Sequence, residues 1–120
     1  EQFGSSVLYK NQYAMPRAWV ELDGKPTPAI IESMLPNEIR IQAQGPGLLV
    51  LAEILYPGWK AWVDNQPVTI RESYDVLRSV QLDDGEHNIV FRYRPTAFFY
   101  GMGLFLLGLV LTFVWGRVIR

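Results

Sequence analysis

The chain has 120 residues, 49% of them hydrophobic and 19% charged, with a formal net charge of −1. Such a balance provides no basic field for nucleic acid, and no run of Lys and Arg of the kind that grips a phosphate backbone occurs. The absence of cysteine excludes disulfides, thiolate metal sites and cysteine nucleophiles.

Residues 1–15 form a weakly patterned lead-in. Gly4, Ser5 and Ser6 are linker-like, Val7-Leu8-Tyr9 fits a short edge strand, and Asn11 to Pro16 reads as an irregular approach. The first residue is Glu1, and nothing near it has the basic start and apolar centre of a signal peptide. The expectation is the end of a longer protein, a processed product or part of a subunit.

From residue 16 the pattern becomes β-like. Arg17 to Leu22 reads as a strand ending at the turn pair Asp23-Gly24, and Lys25 to Pro28 reads as a loop, because two prolines remove backbone donors. Ala29 to Ser33 fits either a short strand or a covering loop. Glu38 to Gln44 alternates strictly, with Ile39, Ile41 and Ala43 on one face. Gly45-Pro46-Gly47 should break that strand. Leu48 to Tyr56 then reads as a central strand covered on both faces.

Pro57-Gly58 turns the chain, and Trp59 to Val63 is expected to pair with Pro67 to Arg71 across Asp64-Asn65-Gln66. A second hairpin is expected from Val76 to Leu82 and Glu86 to Tyr93, joined at Asp83-Asp84-Gly85. Seven or so short strands at intervals of roughly 8 to 12 residues predict an antiparallel β-sandwich over residues 16–95.

The tail is different in kind. Ala97 to Trp115 is uncharged over nineteen residues, eleven of them Leu, Phe or Val. At about 1.5 Å per residue such a helix covers about 29 Å, close to the roughly 30 Å of a bilayer's hydrocarbon core. A transmembrane α-helix is predicted over 96–117, leaving 118–120 as a tail. A 120-residue domain rarely has room to surround so apolar a helix on every side. Phe98, Phe99 and Tyr100 at one end and Trp115 at the other are membrane-interface residues. Gly108, Thr112 and Gly116 share one face, and Ala97 and Gly101 form a similar pair, so both are candidate helix-packing positions. Arg92 and Arg94 before the span balance Arg117 and Arg120 after it, so charge alone does not orient the helix.

The order Glu53-Ile-Leu-Tyr-Pro-Gly-Trp59-Lys-Ala-Trp-Val-Asp64, then Leu77-Arg-Ser-Val80, then Gly85-Glu-His87-Asn-Ile-Val-Phe91-Arg-Tyr93-Arg-Pro95, resembles the C-terminal region of YfhO-type bacterial polytopic membrane proteins. Asn11 to Val20 fits their approach to this region, so the resemblance covers most of residues 11–101. These proteins resemble glycosyltransferases that use lipid-linked sugar donors, and carry a β-rich extracytoplasmic domain before a final transmembrane helix. The resemblance implies a bacterial cell membrane location, with the sandwich extracytoplasmic and the C-terminus cytoplasmic. Two departures stand out. Asn65 occupies a turn position where the family often has Gly, and the multi-helix region bearing the family's catalytic acidic residues has no counterpart here, so none of those residues can be carried over.

Among the β-domain residues, Glu53 inside an apolar strand is a general base or sugar-gripping carboxylate on one reading, and on the other a structural group paired with Arg17, Arg71 or Arg78. Tyr56, Trp59 and Trp62 are candidate surface or glycan contacts, although period-two spacing sends the two tryptophans to opposite faces. Asp83, Asp84 and Glu86 lack calcium-loop spacing. His87, the only histidine, lacks partners for zinc or a triad and is read as a hydrogen-bonding group at the start of the last strand.

The expected protein is thus a non-catalytic sandwich with a membrane anchor, no metal and no cofactor. Its partners would be the bilayer and transmembrane helices of the same or a larger complex, with a glycan or lipid-linked sugar as a further contact implied by the resemblance. The alternative is a single-pass accessory subunit that stabilises a larger membrane complex.

Overall fold

In the computed structural model, residues 2–3, 6–7, 10–11 and 14–120 are described. Strands β1 (Gln2–Phe3) and β2 (Ser6–Val7) pair with each other apart from the main sheet. Leu8 and Tyr9, the remainder of the expected edge strand, lie outside the described residues. The rest is an antiparallel β-sandwich followed by one helix. In chain order its strands are β3 (Ala18–Leu22), β4 (Lys25–Pro28), β5 (Ile30–Leu35), β6 (Glu38–Ile54), β7 (Trp59–Val63), β8 (Gln66–Val68), β9 (Arg71–Ser73) and β10 (Leu77–Tyr93), before α1 (Thr96–Val118).

Two strands of 17 residues, β6 and β10, pair antiparallel along their whole length, from Leu77 opposite Ile54 to Arg92 opposite Glu38. Both depart from regular pairing at the same place. Leu82 faces Gly47 and Gly85 faces Gly45, so Asp83 and Asp84 bulge out of β10 beside the cis Gly45–Pro46 peptide. A bulge increases local twist and bends the strand that carries it. The halves on either side of this corner belong to two facing layers. One comprises β4, β3, the second half of β6, the first half of β10, and β9; the other comprises β5, the first half of β6, the second half of β10, β7 and β8.

Side-chain alternation then fills the space between the layers. Ala18, Val20, Leu49, Leu51, Val80 and Leu82 from one layer form a single buried cluster with Ile39, Ile41, Ala43, Trp59, Ala61, Ile89 and Phe91 from the other. Trp19, Val50 and Ser79 point away from this core yet are buried; Ser79 Oγ donates to Arg71 O at 3.0 Å, and Trp19 is covered by Tyr74, packed edge-on with centroids 6.1 Å apart. Its hydroxyl donates to Glu21 at 2.6 Å, which also raises the Tyr74 pKa.

Five sequence expectations change. Asp83-Asp84-Gly85 is a bulge within one continuous strand, since a long partner strand lies beside both flanks and Gly85 takes φ +101°. Gly45-Pro46-Gly47 likewise bends β6 without ending it. Lys25–Pro28 is an edge strand whose proline nitrogens break no central ladder. Both-face burial is confined to Leu49, Val50 and Leu51, while Ala52, Ile54 and Tyr56 are exposed. Of the two readings of 29–33 the strand holds, over Ile30–Leu35. The expected hairpin at Asp64-Asn65 forms, with φ of 48° and 66° at its two turn residues, but β8 ends at Val68 and Arg71–Ser73 crosses to pair with β10 in the other layer.

The corner requires glycine at 45, because a Cβ there would collide with the Asp83 carbonyl oxygen. Gly45→Ala should therefore destabilise the full chain by about 2–4 kcal/mol. Denaturant unfolding in detergent, followed by tryptophan fluorescence, tests this; a loss below about 0.5 kcal/mol, the size expected at an unconstrained surface position, would contradict the shared corner.

Candidate functional site

A β-ribbon folded at one corner has a closed end and an open end. At the open end lie the last residues of β6, the start of β10's first half, the β5–β6 turn and the start of β7. Tyr93 N donates to Asn37 O at 2.8 Å and Arg94 N to Gly58 O at 2.6 Å, after which Pro95 ends the sheet and α1 begins at Thr96. Three residues of chain span at most about 11 Å, so this mouth of the sandwich lies beside the helix root.

Three aromatic rings line it. Tyr56, Trp59 and Tyr93 have centroids 5.5–6.1 Å apart in tilted and edge-on arrangements. Gly58, with φ +105°, permits the packing, because a Cβ would lie 2.6 Å from the Tyr93 ring. Arg78 is enclosed with them. It is 2% exposed, its guanidinium carbon stands 3.8 Å from the Trp59 ring centroid and 5.7 Å from that of Tyr56, and its Nε donates to Ile54 O at 3.1 Å. Arg78 Nη1 and Trp59 Nε1 are buried donors without a protein acceptor. Burial pushes the Arg78 pKa below its ordinary value, and the negative charge of Glu53 opposes that shift. Tyr56, Trp59, Arg78 and Glu53 border a cleft of about 430 Å³ floored by Ile39 and rimmed by Met34, Leu35, Pro36 and Ile54.

Glu53 pairs with Arg17, Nη2 to Oε1 at 2.9 Å. Trp59 faces inward, while Trp62 is half-buried on the opposite face with the Arg92 and Arg94 guanidinium carbons each 5.5 Å from its ring. The two tryptophans therefore form no common platform, whereas Tyr56 and Trp59 do meet. Sequence reading missed Arg78 and Tyr93. Alternation carried a signal for the first, because 78, 80 and 82 share a strand face and Val80 and Leu82 are core residues.

A second polar cluster closes the opposite end. His87 Nδ1 lies 2.6 Å from Asp64 Oδ2 and Nε2 lies 3.0 Å from Asp83 O, while Asp64 Oδ1 accepts from Asn88 N at 2.9 Å. Both ring nitrogens face acceptors, so only the imidazolium satisfies both. The hydrogen bond to Asp64 accordingly raises the His87 pKa; Asp64 is held low, first by the Asn88 backbone and then by His87. No group of three potential His, Cys, Asp or Glu metal ligands occurs among the described residues.

On α1, Gly108, Thr112, Gly116, Ala97, Gly101, Phe98, Phe99, Tyr100 and Trp115 are all exposed. Thr112 Oγ1 donates to Gly108 O at 2.8 Å, so the only hydroxyl on the small-residue face is satisfied within the helix. A shallow groove runs along Thr112, Phe113, Gly116 and Arg117. The helix is long and apolar enough to cross a membrane, with a mean hydropathy of 2.2 over its most apolar window. Comparison with known protein families, characterised proteins and solved structures found no match for this chain.

The histidine contact carries a signed pH dependence. A folded pKa raised above the ordinary 6.5 gives stability that is fully present below that value and is lost as pH rises through the folded pKa. The depressed Asp64 contributes above its ordinary 3.8 and loses its contribution as pH falls through its lower folded value. Thermal melting should therefore show a fall in Tm on the alkaline side of pH 6.5 that His87→Gln abolishes. An unchanged alkaline slope in the variant would show that the imidazolium does not bind the corner.

Proposed function

We propose that the chain is a non-catalytic, extracytoplasmic β-sandwich held at a bacterial membrane by α1, serving as the terminal module of a YfhO-type, glycosyltransferase-like membrane protein. In that role the sandwich covers a neighbouring membrane-embedded cavity or helps to hold an acceptor. The observation that carries the reading is that α1 has 23 residues, no charge before Arg117, and no residue buried against the sandwich. So much apolar surface needs lipid or other helices to cover it. The resemblance of residues 53–95 to the end of that family supports the outward placement of the sandwich.

The second reading is a single-pass accessory subunit, favoured by one observation: with Thr112 bonded internally to Gly108, the Gly108/Thr112/Gly116 face offers another helix a close, fully satisfied surface. Orientation is tested with single cysteines, which this Cys-free chain permits. A membrane-impermeant maleimide applied to intact cells should label Glu72→Cys and leave Arg120→Cys unlabelled; the reverse pattern would overturn the outward placement.

Purification in gentle detergent separates the two roles. A polypeptide far larger than 13.8 kDa supports the terminal module. A chain near that mass, held in stoichiometric amounts with other membrane proteins and released by Gly108→Ile with Gly116→Ile, supports the subunit and defeats the transferase reading for this molecule.

A further inference from the structure

The mouth of the sandwich combines features that a purely structural core would not need. Arg78 is almost fully buried among aromatic rings, and its Nη1 and the neighbouring Trp59 Nε1 both lack an acceptor. Buried donors without partners are uncommon in folded proteins, and each costs about 1–3 kcal/mol unless something accepts from it. A third such donor, Trp19 Nε1, packs beside Tyr74, whereas these two belong to side chains that line one cleft, where a ligand rich in acceptor oxygens would satisfy them. Charge narrows its class. Glu53, the carboxylate on the cleft, acts on Arg78 but also pairs with Arg17 at 2.9 Å, so two arginines and one carboxylate leave a single net positive charge. A phosphodiester carries one negative charge and four oxygens, and arginine forms charge-assisted hydrogen bonds to such groups.

The rim points to the source of that phosphate. Leu35, Ile54 and Tyr56 are 55%, 62% and 46% exposed, and Met34 is 37% exposed, all beside the same opening. An apolar rim around a cationic pocket matches the boundary between headgroups and acyl chains, where aromatic rings and apolar side chains settle. The opening also lies beside the root of α1, within three residues of a helix suited to crossing the bilayer.

We propose that this cleft is a membrane phospholipid site, in which the phosphodiester sits against Arg78 and Trp59 and the glycerol and proximal acyl carbons rest on Leu35, Ile54 and Tyr56. The sandwich is then fixed to the membrane at two points, by its helix and by a lipid seated in its mouth. The inference rests on the membrane reading of α1 for the lipid's supply, but the site can be tested without insertion. A volume of about 430 Å³ falls within the roughly 300–1,000 Å³ of small-molecule sites.

The test is NMR titration of the full chain in a non-phosphate detergent, with dihexanoyl-phosphatidylglycerol as the probe and with inorganic phosphate and dihexanoylglycerol as separate arms. The phospholipid should produce saturable shifts at the Trp59 indole and at the Leu35 and Ile54 amides, while each control arm leaves them unchanged. Arg78→Met should weaken binding at least about tenfold, as expected for loss of a hydrogen bond to a charged group, with the Ile89 and Phe91 amides reporting that the core is intact. Leu35→Ser, at an exposed position, should weaken it by about fivefold while the fold is unaffected. Equal shifts with inorganic phosphate would make this a free-phosphate site, and equal shifts with dihexanoylglycerol an apolar groove. No saturable shift at the mouth, or shifts confined to α1, would overturn the site. Any of these three results leaves the cysteine-labelling result, and so the membrane reading, standing independently.

Discussion

The structure depends on the pairing of β6 with β10. Each is long enough to run through both layers, and they bend together, so one continuous ladder supplies the centre of each sheet. Every other strand of the sandwich is attached to this pair directly or through one neighbour: β3, β5, β7 and β9 pair with it, and β4 and β8 extend the edges. A two-strand ribbon bent once and closed on itself places its two inner faces in contact without a separate connection between sheets. The corner is therefore a point of high constraint. It combines a glycine where no side chain fits, two bulged aspartates, and a histidine bridging the bulge to the Asp64 turn.

The same geometry explains why the two ends of the domain differ. At the corner the backbone itself closes the sandwich, and polar groups there are bonded locally and close to water. At the other end the layers diverge and the gap must be filled by side chains. Trp59 and Tyr93 from one layer and Arg78 from the other meet in that gap, with Tyr56 set edge-on against both rings from the β6–β7 connection. Glu38 fastens the adjacent edge by bridging Arg40 and Arg92 at 2.7 and 2.9 Å, and the hydrogen bonds to these two guanidiniums hold its pKa low.

Much of this architecture was legible in residue order. Alternation at Ile39, Ile41 and Ala43 identified the core face, Asp64-Asn65 the tight hairpin, and the uncharged tail the helix. The corner was not legible, because Gly-Pro-Gly and Asp-Asp-Gly are ordinary signals for chain reversal; only a partner strand running past both reveals them as matched irregularities in one ladder. Lys25–Pro28 misled for a related reason. Proline forbids a central position but not an edge, and edge status is a property of the sheet. At the mouth, Trp59 stood out by residue type, whereas Arg78 entered only as one of three arginines able to pair with Glu53, although its strand face is that of Val80 and Leu82.

The burial of Arg78 bears on what the mouth is for. A cation enclosed by tryptophan and tyrosine weakens the fold relative to an apolar residue of similar length, because its desolvation is only partly offset by the stacked rings and one carbonyl. Methionine would fill the same gap without orphaned donors. The local rules of strand alternation and core composition are obeyed on this face at Val80 and Leu82 and broken at Arg78, where the layers open toward the helix root. Departures of this kind concentrate at sites that bind something. With Glu53 engaged by Arg17, the open end of the sandwich presents a fixed positive charge inside an apolar rim, and it does so on the side from which α1 departs. The fold thus joins its least self-sufficient packing to the root of a helix long and apolar enough to cross a membrane.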